Sequence, residues 1–131
     1  MCLVINKKVR NNHRKEDGYY VGYKVIYKES NESIYRDHIY KTGVNHSDRK
    51  DKALAEYEIT QGAVHYGFHL FLNLKDARQK SCGYGQRKII KVFYKPEDVV
   101  VYGNWEEERG SSNVVVTKVL VKSLNGISKG E

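Results

Sequence analysis

The chain has 131 residues, with 23 Lys and Arg against 16 Asp and Glu, and a formal net charge of +7. This length suits one domain, taken as 1–131, and its core needs no metal or disulfide to be stable. No apolar run approaches the roughly 18 residues of a membrane span. The charge favours anionic partners: nucleotides, nucleic acid or acidic proteins.

Cys2 and Cys82 are the only cysteines. Cys2 lies beside the initiator methionine, where chain termini fray, so we expect both thiols to be reduced and the protein to be cytoplasmic. The segment Met1–Lys8 places its apolar residues before its charges, the reverse of the order in a secretory signal.

The first half of the chain predicts strands separated by polar segments. Residues 1–17 are polar and aperiodic, which predicts an irregular basic arm. Residues 19–29 alternate as a strand does, and Ser33–Lys41 follows after turn residues, so the two are predicted to form a hairpin. The polar segment 43–56 predicts a long loop, and loops of that length are often functional.

The middle of the chain predicts a strand followed by a helix. A short strand is expected at Tyr57–Thr60, and alternation predicts another at Phe68–Leu72. Asn73 has the side chain of an N-cap for a helix over Leu74–Cys82. Gly83 then suits the left-handed residue that ends it.

The last third predicts three more strands. These are expected at residues 87–95, at Val99–Tyr102 and, centrally placed, at Val114–Lys122. A polar loop is expected over 104–112 and a frayed tail over 125–131. The fold class predicted from these elements is α+β, mostly antiparallel β-sheet with one or two short helices.

No motif in the chain identifies an enzyme, and we expect neither catalysis nor a cofactor. Nucleotide-binding glycine motifs, helical metal motifs and nucleophile motifs are missing from the sequence. His65 and His69 are four residues apart in a segment that reads as extended, about 13 Å, too far to share one metal ion. Cys82 at a helix C-terminus is biased against the reactive thiolate. The acidic run Glu106–Glu108 is interpreted as solvated surface.

The run Gly83–Arg87 has two interpretations. The favoured one is a helix stop followed by a turn into the next strand. The alternative is a phosphate-contacting loop, in which glycines expose backbone N–H groups and Arg87 clamps the anion.

The predicted binding residues lie at strand ends and on unexpected faces. His69 follows Gly67 and is expected to face solvent or a cleft, while Lys118 interrupts an apolar strand and either reaches solvent or lines a wet pocket. Residues 102–105 end a strand with aromatic and amide groups that suit a nucleobase and a pyrophosphate. The alternative interpretation of 102–105 is a polar loop that packs the one tryptophan. The predicted set is Phe68, His69, Tyr102, Asn104, Arg109 and Lys118, with Arg36, Arg49 and Arg78 as alternative phosphate partners.

A family resemblance rests on four short stretches. They are Glu16-Asp17 with Tyr23-Lys24-Val25, the Gly67-x-His69-x-Phe71 strand, the Asp76-Ala77 helix, and the Val116-Thr117-Lys118 strand. Over roughly residues 16–122 the chain resembles the type 1 Thoeris anti-defence sponges, which are a group of small phage and prophage proteins. The basic arm and the 43–56 segment match no part of that pattern.

The resemblance implies binding of a cyclic ADP-ribose isomer without cleavage. It also implies a block on bacterial anti-phage immunity, a host-cytoplasm location, and a homodimer or larger homo-oligomer. Nanomolar retention, about −12 kcal/mol, needs an enclosed pocket, which two subunits make most easily.

Two other hypotheses stay open on the sequence. One is a basic RNA- or nucleic-acid-binding protein or small ribonuclease. The other is an inhibitor that blocks a protein partner through an exposed strand or loop.

Overall fold

Antiparallel strands dominate the fold, which is described from a computed structural model. One α-helix and a short 3-10 helix accompany them in the described part of the chain. The predicted α+β class, mostly antiparallel sheet, is therefore confirmed. The structure describes residues 3–6, 8–9, 16–34, 38–47, 62–64, 67–105 and 111–127.

The described residues form nine strands of one sheet. The elements in chain order are β1 (Leu3–Ile5), β2 (Tyr20–Tyr27), β3 (Gly43–His46), β4 (Ala63–Val64), β5 (Phe68–Phe71), α1 (Leu74–Ser81), β6 (Arg87–Tyr94), the 3-10 helix (Pro96–Asp98), β7 (Val99–Trp105), β8 (Asn113–Val116) and β9 (Lys118–Val121). The strand order across the sheet is β3-β9-β6-β2-β5-β8-β7-β1-β4.

The sheet curls because β8 and β9, which are consecutive in the chain, pair at two different places in the sheet. Only Thr117 separates β8 from β9, yet these strands lie on opposite sides of the β6-β2-β5 group. The bend at Thr117 inserts one residue into the alternation of side chains. Four valines, two before and two after the bend, therefore reach the same core: Val114, Val116, Val119 and Val121. The prediction of one continuous strand over 114–122 is wrong for this reason.

The larger core lies inside the curl, where the longest strand pair meets its neighbours. β2 and β6 pair over eight residues each, from Tyr20 opposite Tyr94 to Tyr27 opposite Arg87. Ile26, which faces this core, is fully buried. Burial of such side chains contributes about 1.5–3 kcal/mol each, so the interior supplies most of the favourable free energy of folding.

Helix α1 covers part of the other face of the sheet. Its Ala77 is fully buried in a second core that includes Val25 and Phe71. The predicted start of the helix is confirmed, because the Asn73 Oδ1 accepts a hydrogen bond of 3.0 Å from the Asp76 N–H. The predicted stop is confirmed too, since Gly83 has φ of +80°.

Two predictions for the first half of the chain are wrong. The partners of β2 are β6 and β5, so 20–41 is no hairpin; the described residues within 33–41 make only isolated bridges, such as Ser33 with Ile26. Gly43–His46, placed in a loop, is strand β3 and pairs with β9. Tertiary pairing partners decided both outcomes, and local composition does not encode them.

Predictions at the ends of the chain also need correction. Residues 3–5 of the expected irregular arm form β1, which pairs with β7 and β4. β7 runs through Gly103 to Trp105 because β1 pairs along it, so the loop predicted over 104–112 begins later. Within the expected frayed tail, the Ile127 N–H donates to the Ile89 carbonyl at 2.8 Å. The strand expected at Tyr57–Thr60 lies outside the described residues.

Tyr40 is buried in the larger core and shapes the pH dependence of stability. Burial raises the pKa of its phenol above the usual range. The folded state thus holds this proton more tightly than the unfolded chain, whose tyrosines release theirs near pH 10. Stability is intact below about pH 10 and falls as the pH rises past it.

We therefore expect Tyr40→Phe to reduce the alkaline loss of stability. At pH 7 the variant should melt at the same or a higher temperature, because the Tyr40 hydroxyl has no hydrogen-bond partner among the described residues. Thermal melts at about pH 7, 9 and 11 test both parts. A variant that melts well below wild type at pH 7 would show that the hydroxyl makes a stabilising bond.

Candidate functional site

A cleft of about 880 Å³ lies where the C-terminal end of α1 meets the start of β6. The segment around Gly126 and Ile127 forms another wall. Its volume falls within the range typical of small-molecule sites. The residues that line it are Lys28, Arg78, Ser81, Cys82, Gly83, Tyr84, Gly85, Arg87, Lys88, Ile89, Gly126 and Ile127.

Local sequence explains why the chain turns away and leaves this space. The left-handed Gly83 ends α1, and the Tyr84 N–H bonds to the Ser81 carbonyl at 3.1 Å. The loop is then tied to the end of β2, because the Lys28 N–H donates to the Gln86 carbonyl at 2.7 Å. The loop over 82–86 is thereby fixed at both ends as a wall of the cleft.

All charged side chains in the described lining of the cleft are positive. Of its described lining residues, four are cations (Lys28, Arg78, Arg87 and Lys88) and none is a carboxylate. In other described parts of the sheet, lysines do have carboxylate partners: Lys91 with Glu16, Lys118 with Asp98 and Lys122 with Asp17. Concentrated cations in a concave surface raise the local concentration of anions.

Arg78 carries the most specific signal in the cleft. Its Nη2 is buried and has no hydrogen-bond partner within the described ranges. A buried donor left unsatisfied costs about 1–3 kcal/mol. A ligand in the cleft would satisfy it only if the Arg78 side chain turned its Nη2 outward, and the planar guanidinium then suits two-point contact with phosphate or carboxylate oxygens.

Arg87 is held in place rather than left free. Its Nη1 donates to the Lys80 carbonyl at 3.0 Å, which satisfies one of the last carbonyl groups of α1. Its Cζ lies 3.7 Å from the centre of the Tyr84 ring, a cation–π contact. The cationic side chain therefore offsets the negative end of the helix dipole beside the cleft.

No protein-family model, no curated protein and no solved structure matches the chain. The function must therefore be argued from the site itself. In the described part of the chain no three His, Cys, Asp or Glu side chains are grouped as metal ligands would be. No helix there has the length and apolar character to cross a bilayer.

Phe68 and His69 do not line this cleft. Phe68 is buried in the larger core, with its ring centre 4.8 Å from that of His38. His69 was expected to face solvent or a cleft, but it is only 6% exposed, because β5 is buried on both faces. Its carbonyl accepts a 2.9 Å bond from the buried ammonium of Lys24. At Gly67, two residues before His69, a Cβ would lie 2.8 Å from the Cγ1 of Val115, so the chain itself fills the space there.

Tyr102 and Asn104 lie on β7, away from the cleft. The two hydroxyls of Tyr102 and Tyr94 are 3.4 Å apart. The Asn104 side chain accepts from Asn6 at 2.8 Å and donates to the Ser111 carbonyl at 2.7 Å. The Asn104 amide therefore ties β1 and β7 to the start of β8.

Lys118 reaches solvent, as one of its two interpretations held. Its side chain is 40% exposed, and its ammonium is 4.0 Å from Asp98. Among the described members of the predicted set, Arg78 alone lines the cleft. Arg36, Arg49 and Arg109 lie outside the described residues.

The sequence pattern did not single out Lys28, Lys88 or Tyr84 as site residues. Lysines at strand ends are common on any surface, so their type carried no signal. The run Gly83–Arg87 was the available signal: the helix stop is confirmed and the run lines the cleft, while its interpretation as a phosphate-contacting loop stays a prediction.

Proposed function

We propose that this protein binds a phosphorylated nucleotide of the cyclic ADP-ribose type in the cleft and holds it without cleavage. The carrying observation is a cleft whose described lining has four cations, Arg78 among them, and no carboxylate. Such a site favours an anion with several oxygens, as a pyrophosphate has.

Sequestration rather than catalysis is supported by what the cleft offers chemically. Its described lining includes no imidazole or carboxylate to serve as a general base. The family resemblance points the same way, to a phage protein that removes a Thoeris signal nucleotide from the host cytoplasm. A homodimer or larger assembly would close the open side of the cleft.

A nucleic-acid-binding role is the alternative. The sheet face with Tyr19 and Phe93 bears lysines, with Lys122 4.4 Å from the Phe93 ring centre. However, Phe93 is buried and Lys122 is paired with Asp17, so this face offers little open stacking surface. This face therefore supports nucleic-acid binding less well than the cleft supports binding of a small anion.

Capture and release of the ligand tests the proposal. The protein is mixed with cyclic ADP-ribose, separated from free ligand by gel filtration and boiled, and the supernatant is analysed by mass spectrometry. We expect an intact cyclic nucleotide in amounts stoichiometric with protein. Recovery of linear ADP-ribose would show an enzyme. An empty supernatant, with RNA binding that weakens steeply as salt rises, would favour the alternative.

A further inference from the structure

Two smaller cavities adjoin the cleft on the far side of the 83–87 loop. Their volumes are about 480 and about 400 Å³. The first shares Gly83, Tyr84, Gly85 and Arg87 with the cleft, and Gly85 also lines the second. The three spaces share lining residues and lie around the same loop, and together we call them the depression.

The chemistry changes along this depression. The cleft is lined by the guanidinium of Arg78 and by the lysines at 28 and 88. The first smaller cavity keeps Tyr84 and Arg87 and adds Tyr27 and Gln86, and its described lining has no lysine. A ligand with a charged part and a planar part would match both regions.

Tyr84 is presented as a fixed, open ring. Arg87 covers one side of it at 3.7 Å, and Arg87 is itself held by the Lys80 carbonyl. Tyr84 is nevertheless 56% exposed, so much of its ring remains open to a ligand. A ring already held in position loses little conformational entropy when it binds a ligand.

Tyr27 is placed next to this ring by the register of the sheet. It lies directly opposite Arg87 in the β2–β6 pair, so both side chains project from the same face as close neighbours. The Gln86 amide offers one acceptor and two donors to the edge of a heterocycle. Glu29 and Lys28 line the second smaller cavity, where the Glu29 carboxylate suits an amino or ring N–H group.

We propose that the space bounded by Tyr27, Tyr84 and Gln86 is a nucleobase subsite. The base stacks on Tyr84 while the phosphates of the same ligand occupy the cleft at Arg78. This inference rests on the proposed function, since it assigns the two ends of the bound nucleotide to the two ends of the depression.

Three probes that share a diphosphate group test the phosphate site and the base subsite separately. Calorimetric titrations compare inorganic pyrophosphate with adenosine diphosphate and with cyclic ADP-ribose. We expect at least one nucleotide to bind wild type more tightly than pyrophosphate does. Tyr84→Ala should weaken that nucleotide about tenfold or more, the effect of losing one stacking ring, and leave pyrophosphate unchanged. Tyr27→Ala should act in the same direction, and Tyr84→Phe, which keeps the ring, should remain close to wild type.

The outcomes distinguish this inference from the proposed function. If nucleotides and pyrophosphate bind equally and Tyr84→Ala changes neither, the cleft holds anions and the base subsite is wrong. If Tyr84→Ala weakens pyrophosphate as much as the nucleotide, Tyr84 acts only by positioning Arg87, and the subsite is again wrong. If wild type binds none of the three probes, the proposed function fails together with the inference.

Discussion

Replacing Arg78 with glutamine is expected to weaken binding of cyclic ADP-ribose roughly ten- to a hundredfold. The variant loses charge-assisted hydrogen bonds to the ligand, each about 1.5–3 kcal/mol, at the one cleft cation whose guanidinium has a buried, unsatisfied nitrogen. Arg78→Lys should be intermediate, because an ammonium keeps the charge but not the planar fork. Calorimetry at fixed salt measures both.

The stability of the unliganded variant gives an independent readout. Arg78 uses its backbone carbonyl, not its side chain, to accept bonds from Ser81 and Cys82. Glutamine removes a buried donor that lacks a partner in the described structure, so the free protein should melt at the same or a higher temperature. A purely structural arginine would give the opposite result, a lower melting temperature.

Lys118→Gln is the matched control, since it also removes one positive charge. Lys118 lies outside the cleft lining beside Asp98, and its loss should change binding less than about twofold, as for an exposed ion pair. The opposite pattern, with Lys118 essential and Arg78 dispensable, would move the site to the strands at 68–71 and 102–118 that the sequence first indicated.

Gly67→Ala is expected to destabilise the fold by about 2–5 kcal/mol. Gly67 has φ of +81°, a conformation that costs an L-residue about 1–2 kcal/mol. A Cβ there would also lie 2.8 Å from the Val115 Cγ1 and 3.0 Å from the Val116 carbonyl oxygen. Forcing these buried groups of β8 apart adds about 1–3 kcal/mol. Urea denaturation measures the total through the shift in midpoint.

Gly62→Ala separates the backbone cost from the steric one. Gly62 has the same φ of +81°, but among the described residues a Cβ there meets nothing within 4 Å. We expect a loss of only about 1–2 kcal/mol. Equal losses for the two variants would show that β8 yields to the added methyl group at Gly67 and that packing there is loose.

The candidate site was only partly predictable, for a physical reason that its residues make clear. The boundaries of α1 follow from short-range chemistry, the Asn73 cap and the left-handed Gly83, so the loop over 83–87 could be flagged from sequence. Lys28 and Lys88 are sixty residues apart in the chain and join the same cleft only through the pairing of β2 with β6. No local pattern encodes that meeting.

His69 shows the converse error. The alternation of side chains correctly predicted that His69 and Phe68 project from opposite faces of β5. Whether those faces are covered depends on β8, the helix and the curl of the sheet. A side chain predicted to face solvent or a cleft is therefore buried. The same reasoning applies to Asn104, whose amide is used by Asn6 and Ser111 rather than left at a strand end.

Residue patterns along the chain were enough to predict the fold class, the helix with its cap and stop, the alternation within β2, β5 and β6, and the excess positive charge. These depend on neighbours in the chain, on side-chain period and on composition. The pairing of β1 and β3, the crossing at Thr117 and the gathering of cations around Arg78 could not be predicted in this way. Those features depend on contacts between residues distant in the chain, whose free energy exists only once the sheet has formed.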